Sequence, residues 1–319
     1  MKEYTLENSK IRVTFLDYGG IITSIIKKKN DTNFVLTYSD YSFYKANPYY
    51  LGATIGRTSG RTYPPNYVNY KGQVIDLDIN EGNLNIHGGF QGLDKKYWKV
   101  ERISKEIYEL TYIDNNPKYE EMKLKIHYKL MGNTFVIEYF GKSEEQTVCN
   151  ITNHTYFNLN KDKSQGIENH WLQMSHSSLQ IIDEFFIPTE EYSDMQSDSY
   201  EEFNFSSKKQ IKTSLGLQNK LSKICADGID LAYIFKTDQP EIVLQSDNKE
   251  NTLRITTDRE CVVVYTMNKI SEKLKIKNGD RIAKYGGITF EVQERPNYLH
   301  TTKAPLVKDY HSLTKYSIE

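Results

Sequence analysis

Lys123-Leu124-Lys125-Ile126-His127-Tyr128-Lys129-Leu130 decides the architecture of this chain. Leu124, Ile126, Tyr128 and Leu130 point one way, and Lys123, Lys125, His127 and Lys129 the other. A period of two is the signature of a strand with one buried face. Gly132-Asn133 follows and suits a two-residue hairpin turn. Phe135, Ile137 and Tyr139 resume the alternation beyond it, so the segment reads as a half-buried antiparallel pair.

The same pattern recurs along the chain. Strands are expected at Ile11–Leu16, Ile21–Ile26, Trp98–Ile103, Ile107–Ile113, Ile242–Gln245, Leu253–Thr257, Val262–Met267 and Gly287–Gln293. Asn, Asp, Gly or Pro clusters separate most of them. No segment keeps a 3.6-residue apolar stripe over several turns, so helices should be few and short. Glu190–Lys209, acidic and then Ser-rich, reads as a surface excursion with room for one short helix. Strand patterns flank it on both sides, which favours one domain over residues 1–319. The reading is all-β.

Composition excludes several classes. The chain has 41 basic and 42 acidic side chains and a net charge of -1, with no basic stripe, so nucleic acid is not an expected partner. Apolar runs such as Val262-Val263-Val264 are too short to span a bilayer. Met1-Lys2-Glu3-Tyr4 lacks the apolar run of a signal peptide. Cys149, Cys225 and Cys261 are scattered and odd in number, which fits free thiols in a reducing cytoplasm. The 25 tyrosines suit sugar recognition, but also an A/T-rich genome, since Lys, Asn and Ile are plentiful too.

Two strings carry the chemistry: Asn85-Ile86-His87-Gly88-Gly89 and Thr152-Asn153-His154-Thr155-Tyr156-Phe157-Asn158-Leu159. Each sets a histidine among small or hydroxyl-bearing residues. A carboxylate comes late, in Thr289-Phe290-Glu291-Val292-Gln293. Strand parity puts His154 on a polar face with Thr152, Tyr156 and Asn158, and Glu291 on one with Thr289 and Gln293. Two imidazoles and one carboxylate, with no cysteine cluster, suit proton movement on a polyol. Taken singly, each has a plainer explanation. His87 fits a turn beside flexible glycines, His154 a hydrogen-bonded structural histidine, Glu291 a solvated carboxylate and Asp230 a turn residue. Gly56-Arg57-Thr58-Ser59-Gly60-Arg61 opens no helix and lacks the Lys-Ser/Thr of a phosphate loop. His127 reads as solvated, and His300 and His311 belong to a polar C-terminal segment. No arrangement reads as zinc, and Gly-X-Ser-X-Gly is absent.

In order along the chain, these residues resemble the aldose 1-epimerase (galactose mutarotase) family. The resemblance runs from Asp17-Tyr18-Gly19-Gly20 through Gly52–Arg57, Gly60-Arg61, Asn85–Gly89 with Gly92–Lys95 and Trp98, and Thr152–Leu159. It continues through Ile187-Pro188-Thr189, Gly228-Ile229-Asp230, Tyr265-Thr266 and Glu291-Val292-Gln293 to Pro296-Asn297. It implies a large antiparallel β-sandwich with the sugar in an open cleft. Glu291 then corresponds to the general base and His154 to the general acid, with His87 near the ring oxygen; Arg61, Asp230 and Tyr156 correspond to substrate-binding residues. It also implies an isomerase of hexose metabolism, monomeric or homodimeric, needing no cofactor or metal. Gly60, Leu231 and Val263 depart from the family's pattern, as does Glu294-Arg295-Pro296-Asn297, which bears on sugar preference.

The implied reaction opens a hemiacetal ring. The anomeric hydroxyl loses a proton, the ring oxygen gains one, the aldehyde turns about C1–C2, and the ring recloses. A carboxylate of pKa about 4.3 is a weak base for this, so an enclosed cleft should raise Glu291. A protonated His154 is expected opposite it, across a gap the width of a pyranose. Two alternatives stand beside free-sugar mutarotation. One is an epimerase of a phosphorylated hexose using Arg57 and Arg61; the other is a non-catalytic sugar-binding module on the same scaffold.

Overall fold

In the computed structural model the Lys123–Leu130 alternation lies within a strand, Met122–Met131, paired antiparallel with Thr134–Val148. Gly132 and Asn133 make the two-residue turn, with Gly132 at φ 62°. Leu124, Ile126, Tyr128 and Leu130 are buried, and across the pair they meet Gly141, Tyr139, Ile137 and Phe135. Residues 1–196, 200–270, 275–277, 279, 281 and 283–319 are described.

This hairpin sits in a nine-stranded antiparallel sheet that runs from Lys99–Ser104 at one edge to Lys209–Gln210 at the other. A six-stranded antiparallel sheet packs against it, in the order Tyr156–Phe157, Ile288–Gln293, Cys261–Tyr265, Asp230–Phe235, Ser177–Ile182 and Pro188–Ser193. One core fills the space between them. Val262, Val264, Phe290, Val292, Leu231 and Tyr233 come from the smaller sheet, and Leu253, Ile255 and Tyr316 from the larger. Phe157 bridges the two, with its ring 6.2 Å from Phe290 and 5.7 Å from Tyr316. A four-stranded N-terminal sheet, from Glu3–Glu7 to Thr32–Asn33, adds Leu6, Val13, Phe15 and Ile25 to the same cluster. The molecule is a large antiparallel β-sandwich, as expected.

Three segments depart from the sequence reading. Thr152–Leu159 is not one strand: Thr152–Asn153 pairs with Thr54–Ile55, and Tyr156–Phe157 pairs with Ile288–Gln293. The Asn153 side chain makes the break, accepting hydrogen bonds from the Thr155 N–H at 3.0 Å and its hydroxyl at 2.5 Å. The C-terminal segment is not a polar tail. Leu306–Ile318 is a central strand of the nine-stranded sheet, with Tyr310, Ser312, Thr314, Tyr316 and Ile318 buried. Glu190–Lys209, of which 197–199 lie outside the described residues, is more than a surface excursion. It completes the edge strand Pro188–Ser193, makes one short 3-10 turn at Glu201–Phe203, and buries Phe203 and Phe205.

Candidate active site

The six-stranded sheet turns one face to the core and the other to a cleft of about 230 Å³. Alternation along its strands assigns the residues. Leu231 and Tyr233 go to the core, and Asp230 and Ala232 to the cleft. Val262 and Val264 go to the core, and Val263 and Tyr265 to the cleft. Phe290 and Val292 flank Glu291, which alone of the three lines the cleft. Three of the family departures therefore reach the cleft: Gly60, Val263 and, from Glu294–Asn297, Pro296. Leu231 is in the core and touches no ligand there.

All six expected site residues, Glu291, His154, His87, Arg61, Asp230 and Tyr156, line this one cleft. His154 is held at the strand break: its N–H donates to Ala53 O at 2.9 Å, and its carbonyl accepts from Gly52 N–H at 3.1 Å. Its Nε2 lies 3.4 Å from Glu291 Oε1, and His87 Nε2 lies 3.9 Å from Glu291 Oε2. The expected pyranose-wide gap is absent, and the three groups form a single cluster. This suits the chemistry, because the anomeric and ring oxygens are bonded to the same carbon. Tyr50 wedges against both imidazoles, its ring centroid 4.9 Å from that of His87 and 5.6 Å from that of His154. Tyr156 packs on the other side of His154 at 5.1 Å.

Burial sets the protonation of the cluster. Glu291, His154 and His87 are 2, 4 and 6 % exposed. Loss of solvent, then the Asp230 charge, push Glu291 up to about 8, against Arg61 and a hydrogen bond from Thr289. Burial pulls His154 down to about 4. It pulls His87 well below the ordinary imidazole range, helped by His154 and Arg61. At neutral pH the cluster therefore holds a carboxylic acid and two neutral imidazoles. The proton expected on His154 sits on Glu291 instead, since charge separation is costly in so dry a place.

Donor atoms of His87, His154 and Glu291 lie within 4.8 Å of one another, close enough to surround a metal ion. The tautomer of His87 does not suit that use. Its Nδ1 accepts a 3.4 Å hydrogen bond from the Gly60 N–H, so the ring proton is on Nε2, facing Glu291. A metal needs that nitrogen bare. His87 is instead a hydrogen-bond donor aimed into the cleft.

Arg61 closes the other end. It bonds Glu81 at 2.6 and 3.1 Å and Asp230 at 3.1 and 3.2 Å, and its guanidinium lies 4.8 Å from the Phe186 ring centre. Burial opposes its charge, but the two carboxylates hold its pKa well above the usual value. Arg57 is elsewhere. It is buried in the wall and donates to Val148 O, Glu120 O, Thr147 Oγ1 and Asp114 Oδ2.

Sequence reading passed over Tyr50, Glu81, Gln180 and Lys269 and gave Tyr265 no role, yet all five line the cleft. Glu81 stands in a polar Asn80-Glu81-Gly82-Asn83 turn, and nothing local marks it as a partner of Arg61. His170 is structural: its Nε2 accepts from the Leu159 N–H at 2.9 Å, and its Nδ1 lies 2.8 Å from Asp247. His127, expected to be solvated, is half-buried and bonded to Glu109 at 2.9 Å.

An antiparallel sandwich holding a buried acid–base cluster beside a clamped arginine is equipped to move protons on a polar ligand in its cleft. Residues 2–310 match the aldose 1-epimerase family, and the chain belongs to it. Aldose 1-epimerase from Haemophilus influenzae is 29% identical over 98% of this chain and 91% of its own. Galactose mutarotase from Sus scrofa is 25% identical over 96% and 89%. The crystal structure of galactose 1-epimerase from Lactobacillus acidophilus superposes with a TM-score of 0.86 at 26% identity, covering 99% of this chain and 94% of that one.

Proposed function

We propose that this enzyme is a mutarotase that interconverts the α and β anomers of a free aldose such as glucose or galactose. Glu291 and His154 exchange protons with the anomeric and ring oxygens. The observation that carries this is the 3.4 Å contact between them, which gathers one acid and one base at a single carbon. With one proton between the two groups, sugar binding moves it to His154 and leaves Glu291 as the base. His154 protonates the ring oxygen as the C1–O5 bond opens, and Glu291 takes the proton from O1. Rotation about C1–C2 and reclosure reverse the two transfers. Each such partner contributes roughly 10²–10⁴ in rate. The Nε2–H of His87 donates to the ring oxygen. Arg61, Asp230 and Tyr156 hold the rest of the sugar, so that only the anomeric end swings.

The lining supports a neutral substrate. Among the described residues, the cations on the cleft are Arg61 and Lys269, and Arg61 is already shared by two carboxylates. Arg57, the second cation a phosphorylated hexose would have used, is committed inside the wall. A pure binding module needs no buried acid–base pair. Chain 1–319 is read as one domain, supported by a core cluster that runs from Leu6 to Ile318. No helix among the described residues is long and apolar enough to cross a membrane. We read the enzyme as cytoplasmic, a monomer or homodimer, without nucleic-acid partners. Polarimetry of freshly dissolved α-glucose, α-galactose and glucose 6-phosphate tests the substrate assignment. Acceleration confined to the phosphorylated sugar, or no acceleration at all, would overturn it.

A further inference from the structure

We propose that Tyr50 is a positioning residue for the proton transfer, and that its ring, rather than a hydrogen bond, aims the His154 and His87 imidazoles at Glu291. The inference rests on the mutarotase reading above and adds a residue to the machinery of that reaction.

An imidazole that moves protons is ordinarily aimed by a hydrogen bond to its second ring nitrogen. His154 lacks one. Its Nε2 faces Glu291, and its Nδ1 is buried with no hydrogen-bond partner. Its own carbonyl lies near enough to favour the charged ring, but not in the line a hydrogen bond needs. His87 is held only loosely by this means, since the Gly60 N–H reaches its Nδ1 at 3.4 Å, longer than usual for such a bond. Packing sets both rings instead. Tyr50 stands edge-on to His87, with the planes at 73° and the centroids 4.9 Å apart, and leans on His154 at 43° and 5.6 Å. The two imidazoles are themselves 5.3 Å apart and nearly perpendicular, at 85°. Together with Tyr156, 5.1 Å from His154, Tyr50 holds that imidazole between two aromatic neighbours. Edge and tilted contacts of this kind have preferred angles. They restrict the turning of a ring without occupying either nitrogen.

The backbone is built to put a ring there. Tyr50 has φ +54°, a left-handed conformation disfavoured for a bulky residue. Its N–H donates to Asn47 O at 2.9 Å, its carbonyl accepts from the Ala53 N–H at 3.0 Å, and the Asn47 side chain accepts from the Leu51 N–H at 2.9 Å. The same turn carries His154, whose backbone is bonded by the Gly52 N–H and the Ala53 carbonyl. One segment, 47–53, thus fixes the main chain of His154 and presses on its ring. Backbone strain that the surroundings maintain beside a site points to a use there. The Tyr50 ring also fills space that water would take beside the imidazoles. Burial is the largest influence on Glu291, His154 and His87, so the ring helps to keep a single proton on the pair. Asp230 and Arg61 are the charges that act on the cluster, and Asp94, Glu81 and Glu291 act on Tyr50. All of these lie on other segments, so a change of the ring leaves them in place.

The test is Tyr50→Gly, with Tyr50→Phe as its conservative partner. Glycine adopts φ +54° without strain, so the first variant removes the ring and keeps the turn. It should lower kcat for fresh glucose or galactose about 10–100-fold with little change in KM, as expected when a reacting group loses its aim. Entry of water should also draw both limbs of the pH profile inward, the acid limb above about 4 and the alkaline limb below about 8. Tyr50→Phe keeps the ring and should restore most of the lost kcat. A wild-type kcat in Tyr50→Gly, a rise in KM alone, or a phenylalanine variant as slow as the glycine one would overturn the proposal. If Tyr50→Gly does not fold, Tyr50→Leu, which keeps apolar bulk without a ring, gives the same readings. A crystal structure of the glycine or leucine variant decides independently of turnover. His154 or His87 should leave its place beside Glu291, and unmoved imidazoles would overturn the proposal. If the wild type turns over no sugar, the mutarotase reading falls, and that structure alone decides whether Tyr50 sets the rings.

Discussion

His154 Nε2 and Glu291 Oε1 stand 3.4 Å apart at the floor of the cleft, and between them they hold one proton at neutral pH. Turnover needs one of the pair protonated and the other bare. Below about 4 His154 gains a proton while Glu291 keeps its own, and no base remains. Above about 8 Glu291 loses its proton while His154 is neutral, and no acid remains. The kcat/KM profile should be a bell with these limits, which belong to the pair as a unit. A profile still rising at pH 10 would contradict the shared proton.

Replacement of either group should uncouple binding from turnover. Glu291→Gln keeps size and hydrogen bonding but cannot accept the anomeric proton. Both Glu291→Gln and His154→Ala should lower kcat by about 10²–10⁴. Titration calorimetry should still detect sugar binding to each. Near-normal polarimetric rates in Glu291→Gln would remove the base assignment.

The same carboxyl destabilises the fold. Its folded pKa of about 8 lies above its ordinary value of 4.5, so between those limits the native state binds more protons than the unfolded chain. Stability then falls as pH rises through that window, and the full loss is present above it. Glu291→Gln should nearly match wild type near pH 4.5 and exceed it by about 5 kcal/mol near pH 8.5, measured by urea unfolding. A constant difference across pH would contradict this.

Arg61 and Asp230 act on Glu291 with opposite signs. Arg61 lowers its pKa and Asp230 raises it. Arg61→Ala should move the alkaline limb of the pH profile upward, and Asp230→Asn should move it downward. Arg61→Ala also leaves Glu81 and Asp230 unneutralised beside the substrate, so KM should rise about tenfold or more, the worth of a charged hydrogen bond. An unchanged KM would remove Arg61 from substrate binding.

Legibility in the sequence followed burial. Lys123–Leu130 declared itself because one face is core and the other lysine-rich. Asp230–Phe235 was missed because all six of its residues are buried, with no polar face to mark the period. Leu306–Ile318 was missed because its inward residues include Tyr310, Ser312 and Thr314 rather than aliphatics. His87 and His154 were singled out by their small and hydroxyl-bearing neighbours and Glu291 by the polar face of its strand, but it was the family resemblance that joined the three into one site. Glu81 and Gln180 were not singled out, because their places in the cleft come from Arg61, Thr189 and Pro296, each remote along the chain. The sequence also carried no sign that Glu291, rather than His154, holds the resting proton. That outcome depends on how much solvent the folded cleft excludes.

Asp230 and Leu231 are neighbours that face opposite sides of one sheet. A one-residue insertion or deletion in that strand would drive the carboxylate into the core and present leucine to the cleft. Evolution of this enzyme is therefore confined to substitution at alternate positions there. Lineages that drift in sugar choice should differ at Val263, Ala232 and Gln180 while keeping the lengths of the strands that bear them.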